Sequence, residues 1–174
     1  MKLETAVQLI ERGVNHTGTQ QHWADLGAGS GLFSHALGEL LPSESTVTAV
    51  DQNAAALKSM LWSVADVQLK RVTSDFTALD WGNDYDGLLM ANSLHYVRDA
   101  KTFLSKVKSK LKANGRMTIV EYERRSANAW VPYPLRFEQL KAVASVAGFS
   151  SIERLHEVPS VFDDVKIYSA LLTF

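Results

Sequence analysis

The sequence lacks cysteine, a long apolar run and an excess of either charge, and each absence excludes a class of protein. Without cysteine, the 174 residues form no disulfide framework, no thiolate nucleophile and no thiolate metal site. No run of about 18 consecutive apolar residues occurs, so no transmembrane helix is predicted. Glu4 and Glu11 interrupt the region in which a signal peptide would carry its apolar segment. We therefore expect a soluble, cytoplasmic protein.

The charged residues balance, with 18 basic and 19 acidic side chains and a formal net charge of -1. Such a chain creates no overall field that would attract nucleic acid or an anionic membrane surface. The histidines near the amino terminus show no metal-ligand spacing with one another. We therefore expect a small-molecule partner, with no nucleic acid, no membrane and no metal, and the oligomeric state stays open.

Hydrophobic residues make up 46% of the chain, which at this length suits one continuous core and one domain over residues 1–174. Apolar spacing predicts a helix over the first fifteen residues, ending near residues 13–18. Further helices are predicted at 32–41 and 135–147. The predicted strands are 23–26, 46–50, 67–72, 85–91 and 116–122.

Two more helices are predicted between these strands. One follows the second strand, and the other is capped by Asp99 and ended by Asn114 and Gly115. The apolar faces of these two helices are Leu57, Met60, Leu61 and Val64 for the first, and Phe103, Leu104, Val107 and Leu111 for the second. The repeated alternation of strand and helix predicts a parallel, doubly wound sheet. The last two strand-like segments, 151–158 and 165–173, have no helix between them and should pair antiparallel.

Three glycines, Gly27, Gly29 and Gly31, lie between the first predicted strand and the following helix. Glycine lets the backbone turn sharply and approach a ligand closely, and the helix N-terminus offers unpaired N–H groups. Asp51 follows Gly31 by twenty residues at the end of the second strand, where an acid accepts hydrogen bonds from ribose hydroxyls. This pattern predicts a nucleotide cofactor site. An ordinary strand-to-helix turn and a helix cap at Asp51 are the simpler alternatives.

Dinucleotide and adenosyl ligands share these features, but the glycine spacing favours an adenosyl ligand. The dinucleotide fingerprint requires Gly or Ala three residues after its second glycine. Leu32 or Ser34 occupies that position here, depending on the glycine from which the motif is read. The fit to a dinucleotide site is therefore poor.

The segment from Asp25 to Gly31 resembles the acidic-x-Gly-x-Gly-x-Gly motif of class I S-adenosylmethionine-dependent methyltransferases, in particular the small type 11 domains. The resemblance implies that the leading acid reaches the amino group of the methionine part and that Asp51 binds the ribose. Asp75 then lies near the adenine amine, and capping of the turn through Thr77 is the simpler alternative. The cofactor-binding residues that the resemblance implies are Asp25, Gly27, Ala28, Gly29, Gly31, Asp51, Gln52, Asp75, Phe76 and Asn92.

The resemblance also implies the fold. We expect an α/β, Rossmann-like, doubly wound sheet of seven strands between two helical layers, mostly parallel with one antiparallel strand near the C-terminus. Within the expected class I methyltransferase domain, residues 1–18 form an N-terminal helix and 19–122 a cofactor-binding half. Residues 123–174 form a substrate-side half that ends in a β-hairpin. The implied activity is methyl transfer from S-adenosylmethionine to an oxygen, nitrogen, carbon or sulfur atom of a small acceptor.

In-line methyl transfer depends mainly on alignment of donor and acceptor, so a dedicated base is optional. His95 follows the fourth strand at the expected ligand edge and is the candidate catalytic base, although packing against the pocket is a simpler role. His95, Tyr96, Trp130 and Tyr133 are the candidate substrate-pocket residues. Two rival functions stay open, a nicotinamide-dependent oxidoreductase and a non-catalytic S-adenosylmethionine-binding protein.

Overall fold

The computed structural model describes residues 1–14, 18–161 and 164–174, and its centre is one seven-stranded sheet. The strands are β1 His22–Leu26, β2 Thr46–Asp51, β3 Gln68–Thr73, β4 Tyr85–Ala91, β5 Leu111–Tyr122, β6 Ser151–Pro159 and β7 Lys166–Thr173. Their order is β3-β2-β1-β4-β5-β7-β6. Neighbours from β3 to β5 are parallel, and β7 runs antiparallel to both β5 and β6. The predicted sheet, with its single antiparallel strand, is confirmed.

In the described part of the chain, five α-helices cover the two faces of the sheet. They are α1 Leu3–Ile10, α2 Leu32–Leu40, α3 Ala54–Ser59, α4 Ala100–Val107 and α5 Phe137–Val146. Apolar side chains of α1 and α2 pack on one face, and those of α4 and α5 pack on the other. Successive residues of β4 divide between these two cores, Leu88 and Met90 on one side and Leu89 on the other, because side chains alternate along a strand. The predicted three-layer arrangement is confirmed.

Two helix predictions were wrong at their C-terminal ends. Helix α3 ends at Ser59, so Leu61 lies outside it and is 86% exposed rather than on an inner face. Helix α4 ends at Val107 and passes through a short 3-10 turn, after which Leu111 begins β5. Gly115 therefore lies within an irregular stretch of β5 and does not end a helix. In both places apolar residues continue at helical spacing after the helix has ended. Leu111 packs from a strand and Leu61 is exposed, so this spacing does not mark a helix there.

The amino-terminal helix is shorter than predicted, since α1 ends at Ile10 and a 3-10 turn covers Glu11–Gly13. Residues 15–17, which the prediction of a helix over 1–18 included, lie outside the described residues. The predicted cap of α4 is confirmed, because Asp99 Oδ1 accepts a hydrogen bond from the Thr102 amide at 3.0 Å. No helix in the described part of the chain has the length and apolar content that a membrane span requires.

Candidate functional site

Five parallel strands end at the same edge of the sheet, and residues that follow β1, β2, β3 and β4 line a cavity of about 510 Å³. Ligands of open α/β sheets bind at this edge, where the chain leaves neighbouring strands in opposite directions. Here that place lies between β1 and β4, which pair directly although they are far apart in sequence. The cavity walls include six of the predicted cofactor residues, namely Gly27, Asp51, Gln52, Asp75, Phe76 and Asn92.

The glycine turn after β1 has left-handed backbone at Gly27, Gly29 and Gly31, with φ of 80°, 54° and 91°. A Cβ added at Gly29 would meet no heavy atom within 4 Å, whereas one at Gly31 would lie 2.3 Å from Met60 Cγ. The space beside Gly29 is therefore open to a ligand, and Gly31 is required by close packing. Four amides of the turn, those of Gly27, Ala28, Gly29 and Gly31, already donate hydrogen bonds within the protein. These four amides are therefore not available to a phosphate, and the turn contributes mainly space for the ligand. This arrangement suits a ligand without a phosphate at this position.

Asp51 is held at the end of β2 by two backbone amides. Its Oδ2 accepts from the Gly29 amide and its Oδ1 from the Asn53 amide, both at 2.8 Å. Each carboxylate oxygen keeps a second lone pair for a further donor. The alternative of a helix cap at Asp51 does not describe this geometry, because the side chain that caps α3 is Asn53, through the Ala56 amide.

Asp25 lies at the end of β1 with no exposed surface, and it is absent from the cavity walls. Its Oδ2 accepts a hydrogen bond from Ser34 Oγ at 2.6 Å, while its Oδ1 has no hydrogen-bond partner among the described residues. Burial raises the pKa of Asp25 to about 7, the Ser34 hydrogen bond opposes the rise, and the charge of Asp51 adds to it. A buried carboxyl oxygen without a partner costs stability, and it can accept a hydrogen bond from a cation or another donor.

Asp75 and Phe76 follow β3 on the opposite wall of the cavity. Asp75 Oδ1 accepts from both the amide and the hydroxyl of Thr77, at 2.9 and 2.7 Å. The turn-capping alternative therefore describes part of what Asp75 does, and the predicted contact with adenine stays a prediction. Phe76 packs edge to face on Phe103, with ring centroids 5.7 Å apart, so its ring is fixed while it lines the cavity.

Asn92, directly after β4, is the residue at which three cavities meet. Its φ is 53°, a left-handed conformation that costs about 1 kcal/mol for a residue other than glycine. Its side-chain Oδ1 is buried and has no hydrogen-bond partner among the described residues. Backbone strain together with an unpaired polar oxygen is typical of a position that contacts a ligand.

A second cavity, of about 610 Å³, adjoins the first at Asn92 and Tyr96. His95 lines it and is only 2% exposed. The Nδ1 of His95 lies 2.7 Å from Glu121 Oε2, and the His95 amide donates to Glu121 Oε1 at 3.0 Å. Glu121 is buried in β5 behind the histidine, so it fixes both the backbone and the ring of His95. No sequence motif identified Glu121, and its one signal is that it is the only acid in the apolar part of β5.

The connector between β5 and α5 forms the other wall of the second cavity through Arg124, Asn128, Trp130 and Val131. Trp130 therefore lines the same cavity as His95 and Tyr96, and its contact with a substrate stays a prediction. Tyr133 is not on this wall, and its amide instead donates to the His95 carbonyl at 3.0 Å, which ties the connector to the histidine turn. A third cavity, of about 820 Å³, is lined by residues of α1 and of the β6–β7 hairpin.

The family of the chain follows from comparison with known proteins. A family model described as a methyltransferase domain matches residues 24–117, which is more than half of the chain, and the protein therefore belongs to that family. The match covers the segment from β1 to the middle of β5, which contains the glycine turn, Asp51 and Asn92. It confirms the prediction of a class I S-adenosylmethionine-dependent methyltransferase and supports neither rival. A search of curated proteins found no match.

Solved structures confirm the fold. The YcgJ protein of Bacillus subtilis superposes with a TM-score of 0.74 at 12% identity, covering 98% of both chains. Magnesium protoporphyrin IX methyltransferase of Synechocystis PCC 6803, solved with bound S-adenosylmethionine, has a TM-score of 0.69 at 18% identity, with 99% of this chain and 78% of that chain covered. A protein of Nostoc punctiforme PCC 73102, provisionally named an O-methyltransferase, has a TM-score of 0.72 at 22% identity and 96% of this chain covered. This chain spans 56% of the length of that protein.

Proposed function

We propose that this chain transfers the methyl group of S-adenosylmethionine to a nucleophilic atom of a small molecule bound beside His95. One observation carries the proposal. The cavity with the glycine turn and Asp51 meets the cavity with the buried pair of His95 and Glu121, and Asn92 lines both. A methyl donor in the first cavity and an acceptor in the second would meet at Asn92.

The residues of the first cavity fit an adenosyl sulfonium. Asp51 is pre-oriented for two ribose hydroxyls, and the fixed ring of Phe76 offers an apolar surface to a base. Gly27 lines the cavity, and the space beside Gly29, next to it, is open. In this proposal the unpaired carboxyl oxygen of Asp25, which is covered and does not line the cavity, becomes accessible to the amino group of the methionine part when the ligand binds, and Asn92 offers a second unpaired oxygen on the cavity wall. When bound, S-adenosylmethionine supplies an activated methyl carbon, which an acceptor lone pair attacks as the carbon–sulfur bond breaks and its electrons stay on sulfur.

His95 accepts the acceptor's proton in this proposal. A histidine whose Nδ1–H donates to a carboxylate keeps Nε2 as the acceptor, and Glu121 is placed to fix that tautomer. The tautomer follows from the hydrogen bond and is the arrangement that a base requires. Correct positioning of donor and acceptor supplies about 7–11 kcal/mol of the barrier reduction, so His95 adds to a reaction that alignment already favours.

In this proposal the acceptor is a free small molecule, and the protein binds neither nucleic acid nor a membrane. The second cavity, of about 610 Å³, has the size of a small-ligand site. The net charge of -1 provides no general attraction for a polyanion. We also propose that residues 1–174 act as one domain, in which 19–122 hold the cofactor and 123–174 contribute the acceptor side.

Calorimetric titration with S-adenosylhomocysteine, and in parallel with NAD, tests the cofactor assignment. We expect the adenosyl ligand to bind and NAD not to bind. At a ligand concentration of 100 times the dissociation constant, the free energy of unfolding should rise by about 2.7 kcal/mol. Asp51→Asn should weaken binding by about tenfold, because it removes a charged acceptor of the ribose hydroxyls. Asp86→Asn is the matched control, since Asp86 lies in an ion pair with Lys112 outside the cavity.

Methyl transfer from labelled S-adenosylmethionine to a panel of phenols, amines and thiols then tests catalysis. Labelled product from one acceptor class supports the proposal. Binding of NAD without the adenosyl ligand contradicts it. Tight adenosyl binding with no transfer to any class of acceptor contradicts the enzymatic part and leaves a binding protein.

A further inference from the structure

Aromatic side chains are concentrated on the walls of the second cavity. Tyr96, Tyr122 and Trp130 line it together with the imidazole of His95. Among the described residues, each of the other two cavities is lined by two aromatic rings. Aromatic faces bind a flat ring by offset stacking or edge-to-face contact, and a puckered aliphatic ring cannot make these contacts. The walls of the second cavity therefore favour a planar ligand.

Trp130 is exposed, and yet its backbone is held in place. Its side chain is 78% exposed, whereas tryptophan is on average well covered by protein. The Trp130 and Val131 amides donate to Asn128 Oδ1 at 3.0 and 2.7 Å, and the Asn128 amide donates to the Val131 carbonyl at 3.1 Å. This closed turn orders the backbone that carries the indole, so a ring that stacks on Trp130 pays little for ordering it.

Tyr96 is a second exposed ring on the same cavity, at 54% exposure, so Trp130 is not an isolated exposed side chain. The ring centroid of Tyr96 is 4.4 Å from that of His95, at an interplanar angle of 49°. The Tyr133 amide donates to the His95 carbonyl at 3.0 Å, which ties the connector that carries Trp130 to the turn that carries the histidine. A planar ligand in contact with these rings would therefore lie beside the imidazole.

A hydroxyl on an aromatic ring is the nucleophile that this arrangement suits. Glu121 holds Nδ1 of His95, which leaves Nε2 as the nitrogen that accepts a proton. A phenol hydroxyl has an ordinary pKa of about 10 and is a much stronger acid than an aliphatic alcohol. A histidine base therefore removes the phenol proton more readily during attack. The aromatic walls and the placed base thus favour the same class of acceptor on separate grounds.

We infer that the acceptor is a planar aromatic compound that stacks on Trp130 and presents a ring hydroxyl to His95. This inference rests on the proposed function and names the substrate class of the same site. In the reaction the O–H bond of the acceptor breaks, an O–CH₃ bond forms and the proton passes to His95 Nε2. The electrons of the broken carbon–sulfur bond stay on sulfur. Trp130 selects the acceptor by its ring and takes no part in the bond changes.

The test compares catechol with cis-1,2-cyclohexanediol, each titrated calorimetrically into the protein saturated with S-adenosylhomocysteine. The two probes share a six-membered carbon ring and a pair of neighbouring hydroxyls, but catechol alone is planar and aromatic. We expect catechol to bind about three- to tenfold tighter, which is the range of an aromatic contact. With S-adenosylmethionine in place of the product, mass spectrometry should detect the monomethyl ether of catechol and little or none of that of the diol.

Two substitutions at Trp130 separate stacking from apolar bulk. Trp130→Leu keeps an apolar side chain without an aromatic face, and it should bring the two affinities to within about twofold of each other. Trp130→Phe keeps an aromatic face and should retain most of the preference for catechol. Both variants keep the amide that donates to Asn128, so the turn can stay closed. Both should bind S-adenosylhomocysteine like the wild type, because Trp130 lines the second cavity and not the first.

Equal affinities of the wild-type protein for catechol and the diol, including no binding of either, would overturn the inference, and this comparison needs no variant to fold. A preference for catechol that Trp130→Leu leaves intact would also overturn it, as would methylation of the diol in place of catechol. Each of these results can occur with normal S-adenosylhomocysteine binding, which leaves the proposed function intact. Failure to bind S-adenosylhomocysteine is the separate result that contradicts the proposed function.

Discussion

Replacing Asp25 with asparagine is expected to stabilise the protein at pH 8 and to weaken S-adenosylhomocysteine binding. Asp25 is fully buried, one of its oxygens has no hydrogen-bond partner among the described residues, and its pKa is raised from 3.8 to about 7. A buried carboxylate that lowers stability suggests a functional role. We propose that Asp25 binds the amino group of the cofactor. The substitution removes the charge and keeps the shape of the side chain.

The magnitude follows from the pKa. A rise of about 3 pKa units corresponds to about 4 kcal/mol. The free energy of unfolding of the wild-type protein is lower by this amount when the carboxyl of Asp25 is charged. Below about pH 4 the group is protonated in both the folded and the unfolded states, and the cost vanishes. Wild-type stability should therefore fall relative to the variant as the pH rises from about 4 to 7. The new amide lacks one partner, which costs about 1–3 kcal/mol, so the net gain at pH 8 is about 1–3 kcal/mol.

Urea denaturation at pH 5 and pH 8 measures this effect. The free energy of unfolding of Asp25→Asn minus that of the wild type should be about 2–4 kcal/mol larger at pH 8 than at pH 5. Asp86→Asn is the control, because Asp86 lies outside the cavity; it removes an ion pair with Lys112 and weakens the hydrogen bond that Asp86 accepts from the His22 amide, and it should destabilise by about 1–2 kcal/mol at both pH values. The reasoning is refuted if the difference between Asp25→Asn and the wild type is the same at both pH values.

Three further predictions concern the glycine turn, the histidine and a distant cation. Gly29→Ala should destabilise by about 1 kcal/mol and abolish S-adenosylhomocysteine binding measured by calorimetry, whereas Gly18→Ala, with a similar left-handed backbone and open space, should have the same cost and no effect on binding. Glu121→Gln should reduce the rate of methyl transfer by about tenfold or more at unchanged S-adenosylhomocysteine affinity, because the tautomer of His95 is no longer fixed. Lys108→Ala should lower the free energy of unfolding by about 1 kcal/mol without changing binding, because it removes a cation over two aromatic rings.

Contradictory outcomes are specific to each prediction. Full binding by Gly29→Ala would show that the space beside Gly29 is not used. A loss of binding in Glu121→Gln would show that the carboxylate supports the cofactor cavity rather than His95. An unchanged free energy of unfolding in Lys108→Ala would show that the contacts of this lysine are solvated.

The sheet, and the meeting of Gly27 and Asp51 at one cavity, were predictable because their signals are local. A buried parallel strand appears as a continuous apolar run, and the glycine turn and Asp51 lie at the ends of such runs. The helix ends were not predictable, because Leu61 and Leu111 continue the helical spacing of apolar residues after the backbone has left the helix. Whether such a residue is buried depends on packing against segments that are remote in the sequence.

The second cavity was only partly predictable for the same reason. His95 and Trp130 stand out by residue type and by their places after strands, and the structure brings them to one cavity. Glu121 contacts His95 only because β4 and β5 are neighbours in the sheet, a pairing that no local pattern specifies. The turn that fixes Trp130 depends on one asparagine side chain, Asn128, which resembles any loop asparagine in the sequence.

A crystal structure of the protein grown with S-adenosylhomocysteine tests the central claim most directly. The account predicts the ligand in the cavity between β1 and β4, with its ribose hydroxyls on Asp51, its base against Phe76 and its sulfur directed toward Asn92. A ligand bound elsewhere on the protein, or a ribose that does not contact Asp51, would contradict it.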